Sequence, residues 1–102
     1  MNSKLAGLLG LCRKSGKLAC GATAVEIAIK RKSCFLVIIA EDCGESIKRK
    51  ISGMCETSGL EYKIMFNKDW LGEAAGLEGK AVIAVKNKDF AQGILKLLNS
   101  RA

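Results

Sequence analysis

The sequence contains no histidine and no proline. Without histidine, neither a Ser–His nor a Cys–His nucleophile pair can form, which excludes enzymes built on those pairs. The chain also has no low-complexity run and no linker-like stretch, so residues 1–102 are expected to form one domain. That length buries enough surface for a hydrophobic core without disulfide or metal cross-links.

Long apolar runs are also missing, since none approaches the roughly 20 residues of a membrane helix. The N-terminal segment, residues 1–12, is weakly signal-like. It lacks a long apolar core and a convincing cleavage site. We therefore expect a cytoplasmic protein, with no membrane partner, whose first segment is an amphipathic helix.

Cysteine is present, but not in a metal-binding pattern. The five residues are an odd number at wide spacings, without a C-x-x-C pair. Because histidine is absent, a zinc site would need cysteine alone at spacings that zinc sites do not use. We expect reduced and buried side chains, no metal and no cofactor. The cysteines are Cys12, Cys20, Cys34, Cys43 and Cys55.

Positive charge is concentrated in the first third of the chain. Residues 1–32 carry seven basic side chains and one acidic side chain, Glu26, whereas the rest carries ten basic and nine acidic side chains. Such clustering favours an electrostatic surface for RNA or DNA over a merely solvated face. A second basic cluster, Lys48–Lys50, would extend that surface only if the fold placed it near Lys30–Lys32.

Helical and strand-like periods alternate along the whole chain. Strict alternation predicts an α/β protein, a three-layer α/β/α sandwich around a small mixed sheet of about four strands. The predicted helices are residues 3–13, 22–32, 44–57, 69–75 and 90–98, and the predicted strands are residues 17–20, 35–40, 62–66 and 81–85.

The segment from Arg13 to Asp42 joins a basic turn, a helix that opens at Gly21, and a buried strand that ends in two acids. A helix start flanked by positive charge is a natural place to hold phosphate. Asp42 and Glu45 have the spacing of a capping box, so we interpret the acids as a cap for the following helix.

An enzymatic alternative rests on Cys43 and Arg49. Tyrosine-phosphatase-like enzymes have this spacing, with a thiol activated at a helix start and an arginine that holds phosphate. The loop between them has a single glycine, Gly44, and the acids Glu41 and Glu45 would repel a phosphate dianion. A small Cys-dependent phosphatase-like enzyme therefore stays an alternative to nucleic-acid binding.

The loop before the last strand contains an apolar residue, Leu77, that has no evident place in the core. Beside Lys80, this side chain could stack on an unpaired base. It could equally fold back onto the preceding helix as a C-terminal hydrophobic contact. The sequence favours neither interpretation.

Several motifs in order resemble the kink-turn-binding ribosomal protein family, and its bacterial YlxQ-like branch in particular. They are S-G-K-L-A-C-G, A-V-E-I-A-I-K-R, F-L-V-I-I-A-E-D, L-G-E-A-A-G-L-E and A-V-I-A-V, and the resemblance runs from about Leu5 to Leu98. It implies an α/β/α sandwich and a non-catalytic, ribosome-associated protein. The implied partner is kink-turn RNA, in which tandem G·A pairs follow a three-nucleotide bulge.

The resemblance also implies an RNA site. In strong binders the second helix opens with Gly, a variable residue, Asn-Glu, two more residues and Lys, which read the G·A pairs. Here Thr23 keeps one hydroxyl at the Asn position, whereas Ala24 and Ile27 replace the Glu and Lys. Arg31 matches a basic residue that contacts phosphate one turn later in the helix. Leu77 and Glu78 match the loop that covers the bulged bases, and Gly79 replaces the apolar third residue of that loop. The expected RNA-binding residues are Lys14, Lys17, Gly21, Ala22, Thr23, Ala24, Ile27, Lys30, Arg31, Leu77, Glu78, Gly79 and Lys80.

Because Ala24 and Ile27 replace two polar residues that contact the G·A pairs, the expected selectivity for kink-turn RNA is weaker. Each lost base contact removes on the order of 1–3 kcal/mol of discrimination, and two losses together remove roughly two to three decades. The phosphate contacts remain, so we expect strongly salt-dependent RNA binding with reduced kink-turn selectivity. A protein-interaction domain with a decayed RNA site is the third possibility.

Overall fold

The computed structural model describes residues 3–76 and 81–99 of the protein. Within these residues, helices and strands alternate as predicted. The helices are α1 (Ser3–Lys14), α2 (Ala22–Lys30), α3 (Glu45–Ser58), α4 (Lys68–Ala75) and α5 (Lys88–Asn99), and the strands are β1 (Leu18–Cys20), β2 (Leu36–Ile39), β3 (Tyr62–Ile64) and β4 (Val82–Val85).

The four strands form one mixed sheet in the order β1-β4-β2-β3. Strand β4 runs antiparallel to both of its neighbours, whereas β2 and β3 are parallel. Val85 lies opposite Leu18 on one side and Leu36 on the other. Helix α3 connects the parallel pair, because parallel strands require a crossover connection.

The sheet lies between two groups of helices. Helix α2 packs against α3, and α1 packs against both α4 and α5. Every residue of β2 and β4 is buried, with exposed fractions of 0–2%. Strands covered on both faces are continuous apolar runs, as in this sequence. The predicted three-layer α/β/α sandwich with a four-stranded mixed sheet is confirmed.

The apolar faces of the first two helices also lie where their periodicity predicts. Leu5, Leu9 and Cys12 of α1 are buried, and Val25 and Ile29 of α2 are buried with Ala28 between them. Ile27 lies off that stripe and is 46% exposed. Its side chain is therefore presented to solvent rather than to the core.

Two predicted boundaries shift because the backbone turns earlier. Helix α2 ends at Lys30, two residues short, and Lys32 adopts a left-handed φ of 55°. Strand β3 ends at Ile64, and Phe66 has a φ of 65°. Non-glycine residues rarely occupy this region, so tertiary contacts must hold these two turns in place.

The predicted capping box for α3 is wrong. Gly44 occupies the N-cap position, and no side chain caps the helix there. Asp42 instead accepts a hydrogen bond of 2.8 Å from the backbone N–H of Lys68, the first residue of α4. The two turns are tied together, since the Glu41 N–H also donates to the Phe66 carbonyl at 2.8 Å. Asp42 therefore stabilises the start of α4, which is distant in sequence, and not the start of α3.

No helix in the described part of the chain is long and apolar enough to cross a membrane.

Candidate nucleic-acid interface

The start of α2 is held by Gly21, whose φ of 92° is accessible mainly to glycine. The Gly21 N–H donates to the Val82 carbonyl at 2.8 Å, which fastens this turn to the central strand β4. The Gly21 carbonyl accepts from Val25, so the N–H groups of residues 22–24 have no partner within the helix. No side chain caps this end, and its partial positive charge is available to an anion.

A groove of about 340 Å³ runs along α2 between that helix and the edge strand β1. Three of the expected RNA-binding positions, Ala24, Ile27 and Arg31, line it. Thr23 is exposed on the first turn of the helix. The full lining is Leu18, Ala19, Cys20, Ala24, Ile27, Ala28, Arg31, Ser33 and Lys86. The walls thus combine apolar side chains with nearly as much polar surface, and two cationic side chains contribute the positive charge.

Lys86 is a basic residue of this groove that the sequence did not point to. It directly follows β4, and its backbone N–H donates to the Lys17 carbonyl at 2.7 Å. Antiparallel pairing of β1 with β4 thus places Lys86 near Arg31, although 55 residues separate the two in sequence. In the sequence, Lys86 is recognisable only as a basic residue that follows a fully apolar strand. That pattern does not show which strand pairs with β4, so it does not predict that Lys86 lies near Arg31.

The basic turn does not flank the start of α2 in space. Lys17 precedes β1 and Gly21 follows it, so three extended residues, roughly 10 Å of strand, separate them. Lys17 lies instead at the same end of the sheet as Lys86, and Lys14 is exposed at the end of α1 just before the turn. These lysines add positive charge toward the end of the groove where Arg31 lies.

The expected loop residues Leu77, Glu78, Gly79 and Lys80 lie outside the described residues. Gly76, which precedes them, ends α4 with a φ of 75°. The guanidinium carbon of Arg13 lies 3.0 Å from where a Cβ of residue 76 would be. Arg13 therefore packs directly beside the residue at which this loop begins.

The structure does not support the Cys43 and Arg49 alternative. Cys43 is only 6% exposed, whereas Arg49 is exposed on α3. Burial raises the pKa of the Cys43 thiol, and the nearby ammonium groups of Lys48 and Lys68 only partly offset it. A phosphatase-like nucleophile needs a lowered thiol pKa, so the local environment opposes that chemistry.

The predicted burial of the cysteines is confirmed for four of the five, whereas Cys20 is half-buried. Burial raises the thiol pKa of Cys12 and of Cys55 to about 11. Within residues 3–76 and 81–99, no three metal-ligating side chains come together. The buried cysteines therefore act as small apolar core residues.

Comparison with known proteins identifies the family. The model of the Ribosomal protein L7Ae/L30e/S12e/Gadd45 family matches residues 3–94, so the chain belongs to this family. It is similar to the RNA-binding protein YlxQ of Bacillus subtilis (strain 168), with 29% identity over 92 residues, 90% of this chain and 92% of that protein. The resemblance found in the sequence motifs is thereby confirmed.

Two solved structures share the fold. A protein with unknown function from Bacillus halodurans C is 30% identical, with a TM-score of 0.90 over 96% of this chain and 99% of that one. The Giardia lamblia 15.5kD RNA binding protein is 21% identical, with a TM-score of 0.77 over 98% of this chain and 89% of that one. At that identity the second likeness concerns the fold alone.

Proposed function

We propose that this protein binds structured RNA without catalysing a reaction. The observation that carries the proposal is the groove between α2 and β1, which presents Arg31 and Lys86 at one end, an exposed Ile27 along its wall, and extends toward the uncapped start of the helix. Membership of a ribosomal protein family and similarity to a relative named as RNA-binding support it.

Phosphate contacts supply most of the affinity in this proposal. The unpaired N–H groups at residues 22–24 attract an anion, and Arg31 presents a planar fork that matches two phosphate oxygens. Lys14, Lys17 and Lys30 are exposed and add point charges at the same end as Arg31. Contacts of this kind make the affinity fall steeply with salt and carry little sequence information.

Base recognition is mainly apolar. Thr23 offers one hydroxyl, whereas Ala24 and Ile27 cannot hydrogen-bond to a base edge. Ile27 packs against a ribose or a base face, and residues 77–80 cover the bulged nucleotides. The site accepts kink-turn RNA with a selectivity below that of relatives whose readers are polar. Its natural ligand is then ribosomal or another structured RNA in the cytoplasm, bound by residues 1–102 as a single domain.

A gel-shift series tests this function. The protein is titrated against a kink-turn RNA, the same RNA with its G·A pairs disrupted, and a plain duplex, each at two salt concentrations. We expect binding to all three at low salt, a modest preference for the kink-turn, and a steep loss at high salt. If none of the three binds even at low salt, the proposed function is wrong, and the protein-interaction alternative takes its place.

Charge-neutralising variants test the position of the site. Arg31→Gln and Lys86→Gln should each weaken binding by about five- to tenfold at low salt and lower the salt slope by about one. Lys96→Gln, on α5 in the opposite helix layer, removes the same charge and serves as the control. Equal losses in all three variants would place the RNA elsewhere.

A further inference from the structure

A second groove, here called the basic groove, separates the C-terminal parts of α2 and α3. Its volume is about 530 Å³, and its lining is Ile29, Lys30, Lys32, Lys50, Gly53, Met54, Thr57 and Ser58. A smaller cavity of about 160 Å³ continues it, sharing Ile29, Lys32 and Ser58. The basic cluster of α3 and the basic end of α2, which are about 20 residues apart in sequence, therefore meet through Lys50.

The lysines of the basic groove are placed there by backbone and ion-pair geometry. Lys32 has the left-handed φ of 55° that ends α2 and turns the chain at the groove. Lys50 pairs with Glu26 at 3.2 Å, yet 62% of its side chain remains exposed. This pair joins the middle of α2 to the middle of α3, so the two helices run side by side toward the groove.

The charge of the groove favours an anion. Three lysines contribute three positive charges, and Glu26 removes one. The C-terminal ends of α2 and α3 each add about half a negative charge. Roughly one positive charge is left uncompensated. The three lysines therefore carry more positive charge than is needed to neutralise Glu26 and the two helix ends.

The basic groove and the first site lie on either side of the C-terminal end of α2. Lys30 lines the groove and is followed by Arg31, which lines the groove between α2 and β1. Helix α2 has nine residues, so its axis is roughly 14 Å long. At the B-DNA spacing of about 3.4 Å per nucleotide this length corresponds to about four nucleotides, and an A-form RNA stem, whose axial rise is shorter, places slightly more along it. An RNA stem that starts at Gly21 would thus reach the basic groove after a few base pairs.

We propose that the basic groove holds the phosphate backbone of the RNA stem that extends from the α2 site, with Lys32 and Lys50 as its added contacts. This inference rests on the proposed RNA-binding function. Because the neighbouring residues Lys30 and Arg31 line the two grooves, proximity to that site favours RNA over an acidic protein as the occupant. The occupant is recognised through its phosphates alone, so the groove adds affinity and orientation without adding sequence selectivity.

The test compares two RNAs that differ only in stem length. One kink-turn RNA carries a stem of about eight base pairs beyond the G·A pairs, and the other stops after about two, which is too short to span α2. The groove variant is Lys32→Asn/Lys50→Gln, because asparagine tolerates a positive φ and glutamine keeps the helix propensity. The control is Lys63→Gln/Lys96→Gln, which also removes two charges and one ion pair, that of Lys63 with Glu61.

The groove variant should bind the long-stem RNA on the order of tenfold more weakly than the wild type at roughly 0.1 M salt, with a salt slope lower by about 1.8. The control should change little, and both should resemble the wild type on the short-stem RNA. Equal losses for the two variants, or equal losses on the two RNAs, would overturn the inference and leave the proposed function intact. Poly-glutamate binding that the groove variant loses, while its affinity for long-stem RNA stays equal to that of the wild type, would assign the groove to an acidic protein instead. Failure of the wild type to bind either RNA would reject the function itself.

Discussion

Restoring two polar readers on α2 should increase selectivity for kink-turn RNA. The variant Ala24→Glu/Ile27→Lys places a carboxylate and an ammonium in the groove between α2 and β1. Each new base contact adds on the order of 1–3 kcal/mol of discrimination. The ratio of affinities for intact and G·A-disrupted kink-turns should therefore rise by about two to three decades. The overall salt slope should change little, because the net charge is unchanged.

The structure predicts a small folding cost for this variant. Ile27 is 46% exposed, so about half of the burial energy of an isoleucine is lost, roughly 1 kcal/mol. For a domain of this size, that lowers the melting temperature by about 4–8 °C. The new Glu lies in the first turn, where the helix dipole favours a negative charge. A folded variant that still binds RNA is therefore expected, and circular dichroism melting measures its stability.

A matched control separates selectivity from general charge effects. Gln92→Glu/Leu11→Lys introduces the same two charges at exposed positions of the opposite helix layer, on α5 and α1, and Leu11 is 54% exposed, much as Ile27 is. Its affinity ratio for the two RNAs should equal that of the wild type. If Ala24→Glu/Ile27→Lys also leaves the ratio unchanged, the first two turns of α2 do not face the RNA bases, and the orientation proposed for the site is wrong.

Three further predictions concern the fold. Gly76→Ala should destabilise the protein by about 1–2 kcal/mol in chemical denaturation, because φ is 75° and the Arg13 guanidinium, 3.0 Å from the Cβ position, would have to shift. Gly7→Ala, at a helical site with open space, should stabilise it by about 0.5–1 kcal/mol. Asp42→Ala should cost about 0.5–1.5 kcal/mol by removing the hydrogen bond to the first N–H of α4, and no loss would contradict that role. The thiol pKa values of Cys12 and Cys55, raised by burial from 9.0 to about 11, should make folding stability fall as the pH rises from 9 to 11, and replacing both by Ala should flatten this decline.

Much of the fold follows from local periodicity. The continuous apolar runs of β2 and β4 indicate strands covered on both faces, and both lie in the centre of the sheet. The helical spacing of Val25, Ala28 and Ile29 identifies the buried face of α2 and leaves Ile27 outside it. These features depend on neighbouring residues in the chain, so a sequence pattern is enough to predict them.

The assembly of the candidate site depends on contacts that local patterns do not encode. Antiparallel pairing of β1 with β4 brings Lys86 beside Arg31, and the length of β1 moves Lys17 away from Gly21. The Asp42 carboxylate accepts from the first N–H of α4 instead of capping α3, because the turns that follow the neighbouring strands β2 and β3 are joined. Each of these outcomes depends on strand order and register.

The sequence by itself determined the kind of protein: an alternating α/β chain, basic in its first third, whose second helix begins at a glycine and exposes Ile27. The tertiary structure alone decided which charges act together. Packing of α2 against α3 brings Lys50 to the groove that contains Lys32. Periodicity specifies which face of an element is buried, but the partner of that face is chosen by packing between elements distant in the chain.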